Sequence, residues 1–149
     1  MADEIDILLK FYEEDWQQAR QAENQRTAIT NITLIIVPAL IGFVAQQGFG
    51  DNALPLTILL FILGIYGAIT SQKLYERHCY FSDRSGLWRD RISELNLKLG
   101  IAQIRYDARL KHSRRFKRLE KVRLYSLWLV LHLFVSLAGL VLTLLILFL

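Results

Sequence analysis

The chain has 149 residues, 53% of them hydrophobic, a formal charge of +4 and one cysteine. That length fits one domain, the composition is too apolar for an ordinary soluble one, and an internal disulfide is excluded. The apolar residues fall into three blocks, 27–50, 52–72 and 124–149, each free of Asp, Glu, Lys and Arg; Asp51 lies in the turn between the first two. Segments of about twenty apolar residues read as membrane spans. The expectation is therefore an all-α membrane protein: three transmembrane helices, an N-terminal amphipathic helix and a basic cytoplasmic helical hairpin.

The first segment, 1–26, is read as an amphipathic cytoplasmic helix whose apolar face is Ile5, Leu8, Leu9, Tyr12, Trp16 and Ala19. Asp3, Glu4 and Asp6 sit in its first turns, where the helix dipole favours negative charge. No Gly or Pro lies between Ala2 and Val37, so the helix is expected to continue into span 1 (27–50). The acidic start of the chain is unlike the basic opening of a secretory signal. Pro38 removes one ladder hydrogen bond within span 1 and would bend it.

Gly48, Gly50, Asp51 and Asn52 mark a tight turn into span 2 (52–72), with Pro55 in its first turn, where the missing N–H is harmless. Spans 1 and 2 must then form an antiparallel hairpin. Gly64, Gly67 and Ala68 would allow another helix to approach span 2 closely.

Lys73 opens the basic hairpin, 73–123, which carries 15 basic and 6 acidic side chains. The first thirty residues carry 3 and 7, so the two extramembrane pieces are opposite in sign. Docking of one against the other is the expected arrangement. Leu74, His78, Phe81, Ser85, Trp88, Ile92, Leu95 and Leu99 alternate at spacings of four and three, a heptad seam. Arg77, Arg84, Arg91 and Lys98 recur beside it. Leu74, Phe81, Trp88, Ile92, Leu95 and Leu99 are the residues assigned to an oligomer seam. Gly100 is placed to cap this arm, and a second helix is expected over 101–123. Span 3, 124–149, would be about 39 Å long and tilted.

Basic excess marks the cytoplasmic side, which places the N-terminus and 73–123 inside and the C-terminus outside. An inner membrane of bacterial type is the expected location.

Polar residues in or near the spans are the candidates for a conducting path: Gln46, Gln47, Thr57, His132 and Ser136, with Thr33 as a further one. His132 is the one ionisable group placed well within a span, and such groups are functional candidates by default. A buried interhelix hydrogen bond is the plainer role for it. Lys111, Arg114, Arg115, Lys117 and Arg118 form the densest basic run, suited either to an anionic ligand or to the inner leaflet. Nucleic-acid binding is not expected, since Phe116 is the sole aromatic interleaved with these cations. The three histidines lie on different segments, and His78 and Cys79 are neighbours that point apart on a helix. No enzyme activity, cofactor or metal site is expected.

The order of features, with Lys73-Leu-Tyr-Glu-Arg-His78, Ser82-Asp-Arg-Ser85 and Leu87-Trp-Arg-Asp-Arg-Ile-Ser-Glu94 following span 2, resembles the SLATT family of two-span effector modules over about Leu8–Leu99. The resemblance implies a membrane-disrupting, pore-forming effector of bacterial conflict and antiviral defence systems, switched on by nucleotide signals. A third span departs from that family's two-span core. The expected function is accordingly an oligomeric effector, a gated pore triggered through its cytoplasmic helices by a nucleotide or a protein. The alternative is a non-conducting anchor or adaptor that holds a partner through the basic hairpin. Lipid and further copies of the same chain are the expected partners.

Overall fold

The computed structural model describes residues 2–48 and 50–148; Met1, Phe49 and Leu149, and the side chains of Ala2 and Asp3, lie outside the described residues. All regular structure among the described residues is helical. Helix α1 spans Ala2–Gln47, α2 Leu54–Leu95, α3 Ile101–Arg115 and α4 Leu124–Phe148. Single 3₁₀ turns occupy Asp51–Ala53, Leu97–Leu99 and Leu119–Lys121. Helices α1, α2 and α4 are each long and apolar enough to cross a membrane.

Helix α1 has 46 residues, which makes it about 69 Å long. It runs through Pro38, whose missing N–H leaves the Leu34 carbonyl without its usual donor. It ends at Gly48, which has φ +74° and so closes the helix in the left-handed conformation that glycine adopts freely. Gly100 does the same between the arm and α3, with φ +58°.

The helix of the arm stops at Leu95, short of the end of the heptad pattern at Leu99. Asn96 leaves the helical region (φ −136°, ψ 73°) and Leu97–Leu99 tighten into a 3₁₀ turn. Leu99 therefore leaves the seam and is 52% exposed. Likewise α3 ends at Arg115 rather than continuing to Arg123. Phe116 leaves helical geometry (φ −122°, ψ 39°), and the remaining residues form a turn before α4.

The chain divides into two compact units. One comprises Met1–Glu23 and Glu76–Arg123; the other comprises Asn24–Tyr75 and Leu124–Leu149. In the first, the inward edge of α1 runs through Ile5, Leu8, Tyr12, Asp15, Ala19 and Ala22, of which Asp15, Ala19 and Ala22 are fully buried. This edge is rotated from the expected one: Leu9 and Trp16 are each 40% exposed, and a carboxylate takes a place among the apolar side chains.

The second unit contains the three spans. Leu40, Leu60 and Val135 form one buried cluster, and Val44, Ala53 and Ile146 another. Between α2 and α4 the contact is made by small residues. A Cβ on Gly64 would overlap the Ser136 backbone, one on Gly139 would overlap the backbone of Phe61, and one on Gly67 would overlap the His132 ring. The outward surfaces, including Ile35, Ile69 and Phe134, are large, apolar and exposed, which is compatible with positions facing lipid.

Gly42 provides an internal comparison, because a Cβ there meets nothing within 4 Å. Gly64→Ala should destabilise the detergent-solubilised protein by about 1–3 kcal/mol through overpacking. Gly42→Ala should leave it unchanged or slightly more stable. Thermal melts followed by circular dichroism would show the contrast; equal effects would mean that α2 and α4 are not in this close contact.

Candidate functional site

Two groups of side chains stand out, one in each unit. In the spanning unit, Thr30 of α1 and His132 of α4 are both fully buried. The Thr30 hydroxyl lies 3.1 Å from the Arg26 carbonyl and 3.2 Å from Nε2 of His132. A hydroxyl has one proton. Giving it to the Arg26 carbonyl leaves the oxygen to accept from Nε2–H, so the geometry fits the tautomer protonated at Nε2. Nδ1 then faces Gly67 with no hydrogen-bond partner among the described residues. The glycine is what admits the ring.

Thr57 and Thr143 make a second polar contact. Thr57 donates to the Leu54 carbonyl at 3.0 Å, and its oxygen lies 2.9 Å from that of Thr143. Thr143 is also 2.8 Å from the Gly139 carbonyl, and its single proton serves one of the two acceptors. Thr33 bonds its own helix at Ile29. Ser136 is buried against Gly64. Of the five polar candidates, then, Thr57, His132 and Ser136 are enclosed among the three spans of one chain, while Gln46 and Gln47 are exposed at the end of α1. Sequence reasoning missed Thr30 and Thr143 as partners.

Arg26 is buried in the same unit, with its guanidinium 5.7 Å from the Tyr75 ring centre and 6.0 Å from that of Trp128. Tyr75 in turn stacks on Tyr125. These aromatic residues sit at the ends of span sequences, where amphipathic rings suit a membrane–water boundary.

In the other unit, Asp15 gathers three donors. It is 2% exposed and accepts from Arg84 Nε at 2.7 Å, from a second Arg84 nitrogen, and from the Trp88 indole N–H at 2.8 Å. Bidentate contact with a guanidinium is the strongest geometry for such a pair. The Arg84 hydrogen bonds hold the Asp15 carboxyl below the usual carboxylate range, against the opposing effect of burial. The same contact pushes the Arg84 guanidinium further up. Trp88 also stacks on Phe11, with ring centres 5.5 Å apart, and His78 Nδ1 lies 3.1 Å from the Ala19 carbonyl. Trp88 and His78 thus face α1 of their own chain, and Ile92 is buried while Leu74, Phe81 and Leu95 are half-buried.

A cleft of about 660 Å³ opens beside this contact, lined by Tyr12, Trp16, Asp83, Gly86, Arg89 and Arg105 among others. Its cations are already engaged: Arg105 and Arg89 both pair with Asp90, at 2.8 and 3.4 Å.

None of the residues of α3 is buried. Lys111, Arg114 and Arg115 lie in its last turns, and Lys117 and Arg118 follow; all five are exposed. Placement at the C-terminus of a helix is favourable for cations. Lys111, Arg114 and Arg115 border a shallow depression of about 440 Å³ with Asp107 and Leu110. No cluster of three or more His, Cys, Asp or Glu residues is placed to hold a metal ion among the described residues.

Two outcomes follow from these contacts. Because folding lowers the pKa of Asp15, its contact stabilises the protein at any pH above the ordinary carboxylate value of about 4 and is lost as pH falls through the lowered value. Asp15→Asn should lower Tm by a few degrees at neutral pH and flatten the fall of Tm below about pH 4; an unchanged acid limb would show that other carboxylates dominate. In the spans, a double-mutant cycle of Thr30→Val with His132→Phe should give a coupling of about 0.6 kcal/mol, the usual size for a hydrogen bond between membrane helices. Additive effects would mean that the two side chains are not bonded. No family model, no curated protein and no solved structure matches this chain.

Proposed function

We propose that this protein is a membrane-anchored adaptor that holds an acidic protein partner on the cytoplasmic side through α3 and the segment that follows it. The observation that carries this reading is α3 itself. It has no buried residue along its whole length, and Lys111, Arg114, Lys117 and Arg118 form no ion pair among the described residues. A helix with so little buried surface has no packing reason to be ordered in isolation, and covering it with a partner of opposite charge supplies one.

The gated pore that the resemblance to SLATT modules implies would draw on different chemistry. For Thr57, His132 and Ser136 to line water, they would have to leave contacts made within one chain. Replacing those contacts in the bilayer is expensive unless water follows them. The three spans serve better as an anchor than as a conduit.

Reconstitution into liposomes separates the two. The adaptor gives no ion flux above protein-free vesicles, and the triple reversal Arg114→Glu, Arg115→Glu and Arg118→Glu releases the acidic protein bound to α3, another protein or a further copy of this chain, without extracting the chain from the membrane. Flux through the wild-type protein that Ile92→Asp abolishes would overturn the adaptor in favour of the pore.

A further inference from the structure

Helix α1 presents two surfaces in the first unit. Its inner edge meets the arm at Asp15 and Ala19. Its other flank carries Asp6, Leu9, Glu13, Trp16 and Arg20, at successive spacings of three, four, three and four; all five are exposed, and Trp16 also borders the cleft lined by Arg89 and Arg105. Leu9 and Trp16 are each 40% exposed, large apolar side chains flanked by carboxylates that form no ion pair among the described residues.

Helix α3 has the complementary pattern. Ile104, Ala108, Lys111 and Arg115 lie on one stripe at spacings of four, three and four, and all are exposed, Ile104 by 66%. The α1 stripe offers Leu9 and Trp16 with the acids Asp6 and Glu13, ending at Arg20; the α3 stripe offers Ile104 and Ala108 with the bases Lys111 and Arg115, beside Asp107. Both are helical, both are exposed apart from the edge where Trp16 meets the cleft, and both are present in equal number in every copy of the chain.

From this complementarity we infer that the acidic partner of α3 is a second copy of this chain, whose α1 outer face lies along α3 of its neighbour. The inference rests on the reading of α3 as a docking helix and names what docks there. Because the two faces differ, the contact is head-to-tail: each copy uses α1 toward one neighbour and α3 toward the other. Such contacts propagate until a ring closes. Chains anchored in one bilayer share a plane, which favours closure over an open helical filament. Opposite charge at the rim sets the register, and Leu9, Trp16 and Ile104 exclude water at the centre.

The test uses full-length protein in lipid nanodiscs or vesicles, with Cys79→Ser removing the native thiol. Two preparations, one carrying Leu9→Cys and the other Ile104→Cys, are mixed and treated with a short bismaleimide. The inference expects mixed crosslinked dimers well above the same-variant dimers of either preparation alone. Lys111→Glu with Arg115→Glu on the Ile104→Cys chain should reduce the mixed product about tenfold or more, because like charges then face each other. Asp6→Lys with Glu13→Lys on the Leu9→Cys chain should restore it, which a simple folding defect would not permit. Same-variant dimers as abundant as mixed ones, or insensitivity to the charge reversals, would overturn the inference. So would crosslinks that form only when anionic lipid is left out, since these would assign α3 to the lipid surface. If crosslinks are absent while charge-sensitive binding of another protein persists, the second copy is refuted and the docking helix stands. If both are absent, both fall.

Discussion

The seat that Gly67 makes for His132 is the constraint on which the spanning unit depends. A histidine cannot be enclosed between membrane helices unless a neighbour gives up its side chain and another supplies a hydrogen bond. Here α2 supplies the space and α1 supplies the bond, through Thr30. One residue of α4 therefore refers to both other spans at once. Gly64 and Gly139 extend the same close contact along α2 and α4, so backbones rather than side chains set the spacing. In lipid, where apolar side chains gain nothing by leaving the solvent, small-residue contact and hydrogen bonding are the forces left to bring helices together.

Outside the spans the logic reverses. The first unit has few fully buried apolar side chains, among them Ala19, Ala22 and Ile92, and its organising contact is ionic: Asp15 with Arg84 and Trp88. A carboxylate this enclosed is tolerable because each oxygen is matched by a donor. Removing Arg84 would leave the Asp15 carboxylate enclosed without its main donor, whereas Arg84, whose side chain is 41% exposed, would stay solvated if Asp15 were removed. The result is a unit that fixes its inner surfaces by hydrogen bonds and leaves α3 and one flank of α1 exposed.

Much of this architecture could be read from the residues. The three helices long and apolar enough to span were legible because a run of about twenty apolar positions without a charge is what a bilayer demands and a soluble core rarely needs. The hairpin turn was legible because Gly48 to Asn52 favours bent backbone. The end of the arm was less so. The apolar repeat continues to Leu99, but Asn96 and the left-handed Gly100 bring the chain out of the helix first, and local backbone preference overrides a pattern that has nothing to pack against. The stop at Arg115 carried no Gly or Pro to announce it. At the sites, His132 was conspicuous as a lone ionisable residue, whereas Thr30 lies 102 residues away in sequence and bonds its own helix as well. Asp15 was one of seven acids in the first thirty residues. Its signal was positional: it falls in line with Leu8, Tyr12, Ala19 and Ala22 on a helix, where a carboxylate is out of place without a cation.

The placement of the three tryptophans gives the molecule its own optical reporters. Trp88 sits in the Asp15 contact with its ring against Phe11, while Trp128 lies beside the buried guanidinium of Arg26 in the other unit. Trp16 is exposed at the outer face of α1. With Trp16 replaced by Phe, each unit keeps a single indole in a defined electrostatic setting. Changes in emission from one unit could then be followed against the other in the same sample, with no dye attached.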